Sequence, residues 1–207
     1  MSPCFIINVR NERVVLIVQV LKDELRHKIL LESEHLFLQR GYDRTSLQMI
    51  ADKVNISKSN LYHYFKNKEE LFYELTDSAA DGLKHMILRF RSMRFDLNMD
   101  AQEFRMLLTE EVLSLLLAEK YGLLLIMEQA NGTRYENLRP VMIELIASKI
   151  VSMLADEENS PMMAQIMARN LVDGTVHILK NRVRPSEVRA GLNQLITYHT
   201  QGMHALQ

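Results

Sequence analysis

The stretch TSLQMIADKVNISKSNLYHYFKNKEEL, residues 45–71, crowds three helix starts into a chain that has only seven glycines and four prolines. Thr45 followed by Gln48 makes a T-x-x-Q capping box, in which a hydroxyl accepts a first-turn N–H, so a helix is expected from Ser46. Leu47, Ile50, Ala51 and Val54 recur on one face of it. Asn55-Ile56-Ser57 interrupts the pattern, and Ser57 is a good N-cap for a second helix that turns Leu61 and Phe65 inward. Asn67 and Glu70 form a further box that opens a third helix. Leu71, Leu75, Ala79, Leu83, Met86 and Phe90 then follow at steps of three or four, which carries this helix to about Ser92. Two short helices across a three-residue turn, braced by a helix on each side, make a helix-turn-helix.

Upstream, KDELRHKILLESEHLFLQRG, residues 22–41, puts Leu25, Ile29, Leu36 and Phe37 on one face and stops at Gly41, a favoured C′ residue. Residues 1–21 are rich in β-branched side chains and break the helical pattern. They read as a flexible or strand-like extension, or as residues added by an upstream start codon, and no function rests on them. Downstream, helical spacing marks segments at about 101–120, 121–130, 137–156, 161–182 and 185–206. Pro140, Pro161 and Pro185 suit first turns. An all-α fold follows.

The second short helix shows solvent Lys58, Ser59, Asn60, Tyr62, His63 and Tyr64. Between Arg40 and Lys68 six cations stand against Asp43 and Asp52, a surplus of +4 in a chain whose formal charge is −1. Such a local patch attracts phosphates, while hydroxyls and amides reach phosphates or base edges. The helix starts at Ser46 and Ser57 add backbone donors for phosphate oxygens.

Thr45, Ile50, Ala51, Val54, Ser57, Leu61, Tyr62, Tyr64, Phe65, Lys68, Glu69 and Leu71 together resemble the DNA-binding signature of the TetR/AcrR family of transcriptional regulators. The chain departs from that pattern at Asn55 and Ser59, where the family often has glycine, and at Tyr64, where it often has histidine. Asn tolerates the left-handed backbone that a turn there needs. The resemblance implies about nine helices, with a three-helix DNA-binding domain at residues 22–70 and a helical effector-binding and dimerisation domain at 71–207. It also implies a homodimer, a palindromic double-stranded operator and a small-molecule effector that releases a repressor from DNA. An activator, or a DNA-bound partner protein in cell division or chromosome organisation, is the alternative. The DNA-contacting set expected on these grounds is Thr45, Ser46, Ser57, Lys58, Ser59, Asn60, Tyr62, His63, Tyr64, Lys66 and Lys68.

Eleven of the 13 methionines lie at or after Met86, and methionine adapts to irregular apolar space. Met86, Phe90, Phe104, Leu108, Met127 and Met142 are therefore candidates to line a pocket for a mostly hydrophobic compound, drug-sized or lipid-like. Small residues at Ala164, Ala168, Gly174, Ala190 and Gly191 allow close helix approach in the last two helices, where the resemblance implies the dimer interface.

No G-x-S-x-G, glycine-rich phosphate loop or H-E-x-x-H occurs, so an enzyme is not expected. Neither a metal nor a cofactor is expected. The single cysteine, Cys4, cannot form an intrachain disulfide, which fits a reducing, cytoplasmic setting. The best candidate for a membrane span, VVLIVQVL at residues 14–21, is too short for one.

Overall fold

The computed structural model describes residues 9–92, 110–152 and 160–204. Among them there is no strand, and nine helices follow in order. They are α1 Val9–Arg40, α2 Leu47–Val54, α3 Lys58–Tyr62, α4 Lys68–Ser92, α5 Glu110–Ala118, α6 Lys120–Gln129, α7 Leu138–Val151, α8 Ser160–Asn181 and α9 Pro185–His204.

Two expectations are corrected here. The helix that precedes the helix-turn-helix does not begin near Lys22 but reaches back to Val9, so β-branched composition did not prevent it. The segment expected to run to Lys120 is broken at Glu119, and its first part, residues 101–109, lies outside the described residues.

The helix ends follow local chemistry. Gly41 takes a φ of +88° just past α1, and its N–H donates to the Phe37 carbonyl at 2.9 Å. Ser46, not Thr45, caps α2: its Oγ accepts the Met49 N–H at 3.2 Å. Thr45 is buried instead, and its hydroxyl donates to the Gly41 carbonyl at 2.8 Å, with Leu36 O at 3.3 Å. Asn55 ends α2 in the left-handed region at φ 64°, and the Ile56 N–H donates back to Ala51 O at 3.0 Å. Asn67 Oδ1 accepts the Glu70 N–H at 2.7 Å, opening α4 as its sequence requires.

The helices α1 to α4 share a small core of Ile29, Phe37, Ile50, Leu61, Phe65, Leu71 and Phe72. Phe37, Tyr42 and Phe72 meet as an aromatic cluster with ring centroids 5.0 to 5.8 Å apart. From there α4 continues into the rest of the chain and packs on α6. The two approach closely at Gly122, where a Cβ would lie 2.9 Å from Leu75 O and 2.8 Å from Ala79 Cβ. α6 is buried from Gly122 through Met127 and forms the centre of the body.

The outer layer is α7, α8 and α9. Arg139 on α7 pairs with Asp173 on α8 at 2.5 Å, and Gln165 donates to Glu144 at 2.6 Å. α8 and α9 run antiparallel, with Gly174 against Leu195 and Gly191 against Ile178. Most of the small residues expected at a dimer interface are thus used within the chain. Ala164 and Ala168 are fully buried, and Gly174 and Gly191 seat side chains of the neighbouring helix.

The connection between α6 and α7 clasps the middle of α4. Arg134 pairs with Asp77 at 2.6 Å and lies 3.9 Å above the Tyr73 ring. The Tyr135 hydroxyl donates to the same Asp77 oxygen at 2.7 Å.

Candidate nucleic-acid interface and effector cavity

α3 is only five residues long, and its orientation is fixed from below. Leu61 and Phe65 are buried, which leaves Lys58, Ser59, Tyr62, His63 and Lys66 facing solvent. Ser57 caps it, with Oγ accepting the Asn60 N–H at 3.1 Å. Tyr62 is 46% exposed, a large ring held outward, and Lys58 Nζ lies 5.9 Å from its centroid. Ser46 is exposed at the start of α2. Asn60 and Tyr64 are half-buried, and Tyr64 packs against the core. Cation, hydroxyl and aromatic side chains therefore share one exposed face, the mixture that suits phosphates and base edges.

Two residues of the expected set face elsewhere. Thr45 is buried, with its hydroxyl on the carbonyls named above. Lys68 is half-buried, its Nζ donates to Tyr42 O at 2.7 Å, and it sits 4.0 Å above the Tyr42 ring. Burial holds the Lys68 ammonium below its ordinary pKa, although the carboxylates of Asp43 and Glu69 oppose that shift. Lys68 braces the α1–α2 connection against the start of α4.

At the other end of α4 lies a cavity of about 150 Å³. Met86, Phe90, Met127 and Met142, four of the six candidates, are among the residues that line it. Phe104 and Leu108 lie outside the described residues. Much of the lining comes from α8 and α9, including Met167, Leu171, Thr175, Val176, Ile196 and His199. Nothing in the sequence distinguished these from ordinary core positions, because the face each helix turns inward is set by packing. His199 is 5% exposed, and burial lowers its pKa, so the imidazole is held towards its neutral form.

No helix among the described residues is long and apolar enough to cross a membrane, and no group of three or more His, Cys, Asp or Glu there could hold a metal ion.

Comparison with known proteins agrees with this geometry. Residues 29–75 match the family described as bacterial regulatory proteins, tetR family. The biofilm operon icaADBC HTH-type negative transcriptional regulator IcaR of Staphylococcus epidermidis is 34% identical over 65 residues, 31% of this chain and 35% of that protein. The matched stretch thus spans about a third of the length of that relative. Among solved structures, the probable transcriptional regulatory protein RHA5900 superposes with a TM-score of 0.56 at 17% identity, covering 86% of this chain and 97% of that one. SCO3833, a TetR-family member from Streptomyces coelicolor A3, gives 0.54 at 20% identity, covering 84% and 90%. At such identities the likeness is one of fold.

Proposed function

We propose that residues 29–75, which match the tetR family of bacterial regulatory proteins, are a DNA-binding domain, and that the chain is a homodimeric transcriptional repressor released from its operator by a small apolar effector. The observation that carries the DNA reading is the solvent face of α3, with Lys58, Ser59, Tyr62, His63 and Lys66 above buried Leu61 and Phe65. Repression is suggested by IcaR, a negative regulator that shares this part of the chain.

A two-fold dimer would place two copies of α3 in successive major grooves, roughly 34 Å apart. Met162 and Ile166 on α8 and Tyr198 on α9 are exposed, at 62%, 45% and 68%, and offer apolar area for a second copy. The effector reading rests on α4, which begins beside the DNA face and ends in the cavity wall at Met86 and Phe90. An effector must favour the DNA-incompetent arrangement by differential affinity; equal affinity would shift nothing.

The test is selection of bound duplexes from a randomised DNA pool with the full chain, followed by footprinting. An inverted repeat with half-sites one helical turn apart is expected, together with a dimer in sedimentation. Recovery of no preferred sequence, or of a monomer at micromolar concentration, would reject the proposal.

A further inference from the structure

His199 is the polar group in the cavity wall that the fold leaves unanswered. Its Nε2 is buried without a hydrogen-bond partner among the described residues. The other polar linings are engaged: the Thr175 hydroxyl donates to Leu171 O at 2.8 Å, and Lys149, half-exposed at the rim, donates to Arg91 O at 3.2 Å. The antiparallel register of α8 and α9, fixed by Gly174 with Leu195 and Gly191 with Ile178, brings His199 level with the turn of α8 that holds Leu171. A buried polar atom without a partner is costly, and a water molecule needs two to four partners where the described lining residues offer one side-chain atom without a partner.

We infer that the effector is a small neutral ring carrying a single hydroxyl, a phenol in chemical class, whose hydroxyl meets Nε2 of His199 while its ring fills the methionine-rich cavity. The size argues for a ring: about 150 Å³ is the volume at which apolar protein cavities accept benzene, well short of a site for a drug-sized or lipid-like compound. The hydroxyl follows from the imidazole. It both donates and accepts, so it satisfies Nε2 whichever ring nitrogen carries the proton. Neutrality follows from the wall: Lys149 is the one charged side chain among the described lining residues and its ammonium is already bonded to Arg91 O, while the rest of the lining is almost wholly apolar.

This inference rests on the effector reading proposed above, and binding measured without DNA separates the two. Calorimetry on the full chain would compare p-cresol with p-xylene, which differ by a methyl in place of the hydroxyl. In the unaltered protein p-cresol is expected to bind several-fold to about tenfold more tightly. In His199→Leu the order should reverse, because the hydroxyl then loses its partner. Val176→Phe, which narrows the cavity, should weaken both. Equal binding or a preference for p-xylene in the unaltered protein overturns the inference, and so does a p-cresol preference that survives His199→Leu. If the preference holds but p-cresol leaves DNA affinity unchanged, the hydroxyl site stands and the effector reading fails.

Discussion

Lys66 and Lys68 stand two positions apart and do different work. Lys66 is exposed, while its backbone N–H is held by Glu70 Oε2 at 2.6 Å, so its side chain is carried at the edge of the α3 face. Lys68 is turned under Tyr42. Lys66→Ala should make the salt dependence of log K shallower by about 0.9, one phosphate contact, and leave the melting temperature almost unchanged. Lys68→Ala should lower the melting temperature by about 2–4 °C through loss of the cation–π contact and its hydrogen bond. Equal salt slopes for the two variants would reject this division. A second prediction concerns phenols. Burial pushes Tyr42 and Tyr135 up to about 12, and the Asp77 carboxylate adds to the effect at Tyr135. Between pH 10 and 12 the unfolded chain would release these protons while the folded chain keeps them, so stability should fall as pH rises through that window. Ultraviolet titration should show late-ionising phenol that shrinks in Tyr42→Phe and Tyr135→Phe. If every phenol ionised together near 10, the assignment would be wrong.

At the level of elements, helix ends were the most legible feature. Ser57, Asn67 and Gly41 act as their types and spacing require. Thr45 and Ser46 are adjacent capping residues, and local pattern could not rank them. The choice is made by burial of Thr45 under Leu36 and Gly41, a tertiary fact. Likewise the β-branched start of α1 gave weak propensity, which does not fix a helix boundary. The turn at Asn55 gives the element-scale prediction. Its φ of 64° suits glycine and asparagine but crowds a β-branched Cβ. Asn55→Gly should hold stability within about 0.5 kcal/mol, whereas Asn55→Val should cost about 1–2 kcal/mol in urea unfolding. Equal midpoints for the two would show that the turn carries no such constraint.

For the whole molecule, the stretch from Lys22 to Ser92 could be read from residues, because its caps and core repeat within a few positions of each other. The cavity was half legible. Met86, Phe90, Met127 and Met142 were named from composition and spacing, but His199 lies far along the chain and meets them only after α9 folds back on α8. The clasp on α4 gives the last prediction. Arg134→Ala removes the Asp77 pair and the Tyr73 stacking without touching the cavity wall or α3. It should leave binding of a cavity guest intact and reduce how far that guest lowers DNA affinity. Unchanged coupling in Arg134→Ala would mean that the clasp serves stability alone.

A helix gripped partway along its length behaves as a beam on a bearing. At about 1.5 Å per residue, Asp77 sits roughly 14 Å from Lys68 and roughly 20 Å from Phe90. The arm on the cavity side is the longer one, so a push against Phe90 would reach Lys68 with less travel and more force. On the proposed effector reading, such gearing would favour prying apart a strong grip on DNA over a wide swing, and the stiffness of the bearing, rather than the size of the guest, would set the stroke.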